Sequence, residues 1–86
     1  MNDLTRYRLC AGMKTTPSAK LIYFYLLDVS DKSEVVMSIV KIAKAVGLSR
    51  SATGRSLHRL KRLELISISP RYTEDGGRLA NQYQLK

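Results

Sequence analysis

Apolar residues dominate the segment from Pro17 to about Asp28, and every position from Leu21 to Leu27 is apolar or aromatic. Thr16 is suited to be an N-cap and Pro17 the first helical residue, so the pattern predicts a first helix. A helix that is apolar all round requires burial on more than one side. We expect one side to pack on the core and another to be covered by an N-terminal arm (residues 1–14) or by a second subunit.

A short helix is predicted over Ile39–Val46, where apolar residues recur at i, i+3, i+4 and i+7 after Ser38 as a plausible N-cap. Gly47 stands where helices commonly end in a left-handed residue. Ser49 is suited to cap a third helix that extends to about Leu63. Two helices joined by a tight glycine-containing turn form the arrangement that places the second helix of the pair in a DNA major groove.

After the third helix the apolar positions alternate with a period of two, which is typical of half-buried strands. Two such strands, Ile66–Arg71 and Ala80–Leu85, flank the turn-forming residues Thr73–Gly77 and predict a β-hairpin. Pro70 cannot donate a ladder hydrogen bond and should lie on the open side of this pair. A short strand at Val35–Met37 can pair as the third strand of the sheet.

These elements predict an α+β fold with three helices and a small antiparallel hairpin. Eighty-six residues form one small domain, here residues 15–86 after the arm. The order helix, short strand, helix, turn, helix, strand, loop, strand is that of a winged helix-turn-helix, in which the hairpin is the wing.

The charge balance narrows the choice of partner. The chain has 15 basic and 7 acidic residues, a net charge of +8. Such an excess is typical of proteins that bind a polyanion, either nucleic acid or an anionic membrane surface, although solubility alone is an alternative. From Lys41 to Arg78 there are nine basic and three acidic residues, so the excess is concentrated in the helix pair and the hairpin.

The cellular location is predicted from what the chain contains. Its single cysteine, Cys10, permits no intramolecular disulfide, which suits a reducing cytoplasm. The longest apolar run is too short to span a bilayer, and the N-terminus lacks the apolar run of a signal peptide. We therefore expect a cytoplasmic protein without a membrane partner.

Helical geometry divides the third helix into two sides. The residues on or near the core side are Thr53, Ser56, Leu57, Leu60 and Glu64. The opposite side carries residues one turn apart, called the outer row below: Ser51, Arg55, His58 and Arg62. A charged face is by default only a solvated face, but this row lacks the acidic partners of a merely soluble helix. Gly54 costs roughly 1 kcal/mol relative to alanine in a helix, which indicates close approach either to DNA or to the second helix.

The residues that would contact DNA follow from this division. Base-reading residues are predicted at the start of the third helix, because small side chains permit close approach and arginine pairs with guanine: Arg50, Ser51, Gly54 and Arg55. Backbone contacts are predicted along both helices and the hairpin: Lys41, Lys44, Ser49, His58, Arg59, Arg62, Arg71 and Arg78. Glu74 and Asp75 oppose a role for the hairpin tip, so an incidental surface hairpin is an equal alternative.

Four motifs resemble a known group of proteins. They are Ala19-Lys20-Leu21-Ile22-Tyr23, Gly47-Leu48-Ser49, the pair Leu57-x-x-Leu60 with Leu65-Ile66, and Asp75-Gly76-Gly77-Arg78-x-x-Asn81-x-Tyr83-x-Leu85. Over about residues 15–86 they look like the winged helix-turn-helix domains of bacterial, plasmid and phage replication-initiation proteins and of related small regulators. The resemblance implies duplex DNA binding through the third helix and wing, in replication initiation or transcription control. Such domains often have glycine at the position of Glu64 and a larger apolar residue at that of Thr53.

The sequence favours a small transcriptional regulator that binds duplex DNA sequence-specifically. The alternatives are a replication-initiation or excision accessory factor of plasmid or phage type and, from another class, a winged-helix protein–protein interaction module. We expect no enzyme: His58 and Cys10 have no metal-ligand spacing, and no phosphate loop or paired carboxylate site is evident. No catalytic residue, metal, cofactor or small-molecule ligand is therefore predicted. A homodimer through the first helix and the arm is favoured, because two-fold symmetry suits a palindromic site.

Overall fold

The computed structural model describes residues 12–86. Between Pro17 and Leu85 the chain forms, in order, α1 (Pro17–Val29), β1 (Glu34–Val36), α2 (Ile39–Val46), α3 (Arg50–Arg62), β2 (Ile66–Tyr72) and β3 (Arg78–Leu85). The α+β fold predicted from the sequence is confirmed in this order of elements. Residues 1–11 of the predicted N-terminal arm lie outside the described residues.

Each helix begins at the predicted capping residue. The side-chain oxygens of Thr16, Ser38 and Ser49 accept hydrogen bonds from the backbone N–H three residues later, at 3.1–3.2 Å. A hydroxyl at this position satisfies one of the backbone donors that the first helical turn leaves without a partner. Local sequence signals therefore determine where the three helices between Pro17 and Leu85 start.

The sheet is antiparallel with the order β1-β3-β2, so β3 is the central strand. Tyr83 in β3 lies opposite both Val35 in β1 and Ile68 in β2. The hairpin strands are longer than predicted, because pairing continues to Tyr72 and Arg78. Pro70 lies in the edge strand β2 at a shift of register, where a missing backbone donor is tolerated.

One cluster of buried side chains joins the helices to the sheet. Its members are Ala19, Ile22, Leu26, Val35, Ile42, Leu57, Leu60, Ile66, Tyr83 and Leu85. Tyr83 is fully buried, and its hydroxyl oxygen accepts a hydrogen bond from Asn81 Nδ2 at 3.4 Å. The central strand of the sheet is thereby tied to the helices through one large side chain.

Helix α1 is buried on one side within the described residues. Ala19, Ile22 and Leu26 are fully buried, whereas Leu21 is 47% exposed. Tyr23, Tyr25 and Leu27 are half-buried and also pack against the core, so within residues 12–86 the helix is left uncovered mainly around Leu21. The homodimer stays a prediction.

A buried polar residue in α3 explains one departure from the resembled domains. Thr53 is fully buried, where a larger apolar residue is more usual. Its hydroxyl donates a hydrogen bond to the backbone oxygen of Ser49 at 2.8 Å. Because the Thr53 hydroxyl has this partner, it can be buried without the free-energy cost of an unsatisfied hydrogen-bonding group.

The prediction that Glu64 belongs to the core side of α3 is wrong. The helix ends at Arg62, and Glu64 is exposed in the left-handed region with φ of 62°. Its N–H donates to the Lys61 oxygen at 3.0 Å, and the Leu65 N–H donates to the Leu60 oxygen at 3.1 Å. This pair of bonds is a Schellman motif, whose left-handed position is usually glycine.

Replacing Glu64 by glycine should stabilise the protein, because a side chain at this left-handed position costs about 1–2 kcal/mol. The greater freedom of glycine in the unfolded chain offsets part of this gain, and the net increase in the free energy of unfolding should be about 0.5–1 kcal/mol. Urea denaturation measures it. Glu64→Ala is the matched control, since it removes the charge but keeps the strained Cβ; an equal gain in both variants would contradict the explanation by backbone strain.

Candidate nucleic-acid interface

Helix α3 presents its basic side to solvent because its other side is in the core. Thr53, Leu57 and Leu60 are at most 1% exposed. All four residues of the outer row are exposed. The helix contains no acidic residue from Arg50 to Arg62. The prediction that α3 buries its apolar side and exposes its basic side is therefore confirmed.

The turn between α2 and α3 has the geometry expected for a helix-turn-helix. Gly47 is in the left-handed region with φ of 74°, and the N–H of Leu48 donates to the Ala43 oxygen at 3.1 Å. Leu48 is half-buried and packs against the core. Lys41 and Lys44 are exposed on α2.

The start of α3 holds two of the predicted contact residues. The Ser49 hydroxyl is engaged as the helix cap by the Ala52 N–H. Arg50 is exposed and lines a depression with Ser38, the N-cap of α2, and Leu79 of β3. Arg50 therefore lies on the flank of α3 that faces the hairpin, beside the outer row rather than in it.

The two flanks of α3 face different parts of the fold. On one flank, Arg55 and Arg59 line a shallow depression with Thr16 and Ser18 at the start of α1. On the other flank, a cleft of ≈ 320 Å³ separates α3 from the sheet and the base of the hairpin. We call it the wing cleft, and it is lined by Ile39, Gly54, Leu57, His58, Lys61, Ile68, Pro70, Tyr72, Asn81 and Tyr83.

Gly54 lies at the wing cleft, and the packing around it does not require glycine. A Cβ atom added there would lie 4.0 Å from the Ile39 Cδ1 atom, which is an ordinary van der Waals distance. Of the two sequence-based explanations, tight packing against α2 is therefore not supported. The missing side chain instead leaves the cleft open beside α3.

The sequence prediction omitted Lys61, which is exposed and lines the same cleft. Its spacing of seven residues from Gly54 places both residues on one flank of α3. That spacing was readable from the sequence. Which flank faces the hairpin depends on how the sheet packs against the helix. The position of Lys61 beside the hairpin could therefore not be predicted from the sequence.

The predicted arginines of the hairpin are placed in its two strands. Arg71 is half-buried in β2 and lies opposite Leu79. Arg78 is the first residue of β3 and lies opposite Tyr72, but its side chain lies outside the described part of the chain. Neither prediction is tested by this placement.

The hairpin tip is a closed turn that carries negative charge. The Thr73 N–H donates to the Gly77 oxygen at 2.7 Å, and the Gly77 N–H donates to the Thr73 hydroxyl at 2.8 Å. Gly76 has φ of 90°, and a Cβ on Gly77 would come within 2.9 Å of the Thr73 hydroxyl. Hydrogen bonds from the Thr73 hydroxyl and the backbone of Gly77 lower the pKa of the Asp75 carboxyl, which is therefore charged at neutral pH.

Two comparisons return no relative. No protein-family model matches the chain, and no curated protein matches it.

Solved structures match with high confidence. A protein from Methanosarcina mazei Go1 described as a "possible transcriptional regulator" has a TM-score of 0.71 and 19% identity; the match covers 99% of this chain and 67% of that one. Lactococcus lactis ZitR, solved in complex with DNA, has a TM-score of 0.62 and 26% identity over 85% of this chain. A second ZitR structure, titled a zinc-responsive MarR family member, has a TM-score of 0.63 and 22% identity over 87% of this chain. The chain has the winged helix-turn-helix fold.

The winged helix described here spans less than half of each ZitR chain, 44% and 46%. Within residues 12–86, no three His, Cys, Asp or Glu side chains are grouped so that they could hold a metal ion. No helix in this part of the chain is both long and apolar enough to cross a membrane.

The Asp75 carboxyl should titrate below the ordinary aspartate value of 3.8, because its charged form accepts hydrogen bonds in the wing turn. A depressed folded-state pKa means that this contribution to the turn is complete above the unfolded pKa and is lost as pH falls through the folded one. An NMR titration of the side-chain carboxyl carbon measures the midpoint. Thr73→Ala should return it toward the ordinary value; an unchanged midpoint in that variant would contradict the assigned cause.

Proposed function

We propose that the chain binds duplex DNA sequence-specifically as a transcriptional regulator, with α3 in the major groove. The observation that carries the proposal is the exposed basic side of α3, whose opposite side is held in the core by Leu57 and Leu60. A helix of this diameter fits the major groove, and arginine and serine side chains can bond to base edges there.

The residues that we assign to DNA contact have two roles, base reading and binding of the phosphate backbone. Arg50, Ser51 and Arg55 reach base edges from the first two turns, and Gly54 permits the helix to approach closely. The residues assigned to the phosphate backbone are Lys41, Lys44, Ser49, His58, Arg59, Arg62, Arg71 and Arg78. Ser49 acts through its position at the start of α3, where the first helical N–H groups point outward and favour a phosphate.

The structural neighbours support this function. ZitR, which shares the fold at 26% identity, was solved in complex with DNA. The Methanosarcina mazei neighbour is described as a possible transcriptional regulator, in agreement with the prediction that this chain is not an enzyme. A role in replication initiation or excision has no such support.

Salt dependence separates DNA binding from a protein-interaction module. A protein that neutralises about four phosphates should lose affinity with a slope of log K against log salt near −3.6. The measurement is fluorescence anisotropy of a labelled duplex, first with sequences selected from a random pool and then with a scrambled duplex. Weak binding without sequence preference would contradict the proposal and favour the interaction module.

Two arginine variants test the division of roles. Arg55→Ala should cost about 1–3 kcal/mol on the selected sequence and relax the preference for it, because a base contact is lost. Arg62→Ala should weaken binding to selected and scrambled duplexes alike, because a phosphate contact carries no sequence information. The control is Lys86→Ala, an exposed cation at the end of the chain whose backbone bond to Leu65 is retained. Equal losses on both duplexes for both arginine variants would contradict the assignment.

A further inference from the structure

We propose that residues 1–11 dock on α1 of the same chain, over the surface formed by Pro17, Lys20, Leu21 and Phe24. We call this surface the α1 face. Two coverings of the first helix follow from its apolar sequence, the N-terminal arm and a second subunit, and the α1 face fits the arm. The inference does not depend on DNA binding.

The α1 face points away from the core. Pro17, Leu21 and Phe24 follow one another at i, i+4 and i+7, which places them in one line along the helix. Helical geometry sets this line opposite Ile22 and Leu26, which are fully buried. The packing of α1 on the core therefore leaves this line to be covered from outside.

The surface is concave and mainly apolar. Pro17, Lys20, Leu21 and Phe24 line a depression of ≈ 420 Å³. Among these described lining residues only Lys20 is charged, and Leu21 is 47% exposed. An apolar surface with a polar rim is typical of a site where another segment packs.

The α1 face is too small to hold two subunits together. The next position along its line after Phe24 is Asp28, which is exposed and acidic, so the apolar surface ends after about two turns. Tyr25 on a neighbouring side of the helix packs against the core instead. A stable protein–protein interface takes about 800 Å² and about 20–30 residues from each partner, far more than this surface offers.

Charge also opposes a two-fold contact through this surface. In a two-fold interface both subunits present the same residues, so a contact centred here would bring Lys20 of each copy together. Like charges brought together at an interface disfavour binding, and each chain carries a net charge of +8. Residues 1–11 contain only two basic residues and one acidic residue, so the arm brings much less charge to the surface.

Residues 1–11 are long enough to reach the α1 face. Met13 is half-buried and packs against the core, so the chain is held to the domain just before α1. Gly12 is five positions before Pro17 and is therefore within about 18 Å of it. The line from Pro17 to Phe24 is about 10 Å long, whereas eleven extended residues span up to about 36 Å. Such a short tether gives an effective concentration of about millimolar, which a second copy would have to match.

The arm carries side chains that suit this surface. Tyr7 and Leu9 alternate with Arg6 and Arg8. In an extended stretch, alternate side chains point to opposite sides, so Tyr7 and Leu9 can pack on α1 while both arginines stay in water. The contact removes apolar surface of both segments from water, which stabilises it.

The single cysteine of the chain provides a direct test, because Cys10 lies in the arm. A nitroxide label on Cys10 of the ¹⁵N-labelled protein should broaden the backbone amide signals of α1 around Leu21 and Phe24. The wing turn at Thr73–Gly77 serves as the internal control and should keep its signals. Reduction of the nitroxide should restore the α1 signals, because the broadening requires the unpaired electron.

A mixed sample separates the same chain from a second copy. Nitroxide-labelled protein without ¹⁵N is mixed with ¹⁵N-labelled protein without nitroxide, so that only contacts between chains cause broadening. We expect no broadening of α1 in this mixture. Broadening there would show that another copy covers the α1 face, and intact α1 signals in the directly labelled protein would show that the arm lies elsewhere; either result overturns the proposal.

A second measurement does not depend on the label. A variant with both Tyr7→Ser and Leu9→Ser, and separately Leu21→Ser, should each raise the equilibrium constant of unfolding by about fivefold or more. The two changes combined should raise it by less than the product, because either one already removes the shared contact. Leu79→Ser is the matched control at an exposed leucine of the wing, and its effect should multiply with that of the arm variant. Full multiplication for Leu21→Ser as well would contradict the contact.

Concentration and DNA binding complete the test. The Tm of the wild type should not change over about a hundredfold range of protein concentration, whereas a dimer through this surface would make it rise. Residues of the α1 face are not among those assigned to DNA, so Leu21→Ser should bind the selected duplex as the wild type does. A loss of affinity in Leu21→Ser would contradict a purely internal contact. If the wild type does not bind duplex DNA, the proposed function fails while the label and the unfolding measurements still decide this inference.

Discussion

The burial of one side of α3 orients the surface on which the proposed function depends. Leu57 and Leu60 pack into the cluster that joins the helices to the sheet. The basic residues of the helix stand on its other side and flanks, and turning any of them inward would bury a charge without a partner. The same packing that stabilises the fold therefore holds the basic side outward. Thr53 completes the buried side, since its hydroxyl is bonded to the backbone of Ser49.

The wing is held to the same core through the central strand. Tyr83 in β3 is fully buried and lies opposite residues of both edge strands. The wing side of the cleft is formed by β2 and β3, and it is therefore joined to a strand that is anchored among the helices. At the far end, the Thr73–Gly77 turn is closed by its own hydrogen bonds, and its glycines meet steric demands that other residues would not.

The sequence predicts those parts of the fold that depend on local signals. The hydroxyl caps at Thr16, Ser38 and Ser49 and the left-handed Gly47 each have a specific residue type at a specific place, and all are found where expected. The predicted end of α3 at about Leu63 lies within one residue of the observed end at Arg62. Only the placement of Glu64 on the core side is wrong, because Glu64 adopts a left-handed conformation without the glycine that normally signals it. The sides of α3 follow from its helical period, so the outer row was predictable. Which part of the fold each flank of α3 faces was not predictable. Only the packing of the sheet shows that Gly54 and Lys61 face the wing while Arg59 faces α1.

The central claim is that the solvent-facing side of α3 is the surface that meets DNA. The most direct measurement is a titration of the ¹⁵N-labelled protein with duplex DNA, followed through the backbone amide shifts in two-dimensional NMR spectra. We expect the largest changes along α3 and at the wing side of the cleft, with α1 around the exposed Leu21 unaffected. Changes centred on α1, or amide shifts that do not respond to duplex DNA at low salt, would contradict the account.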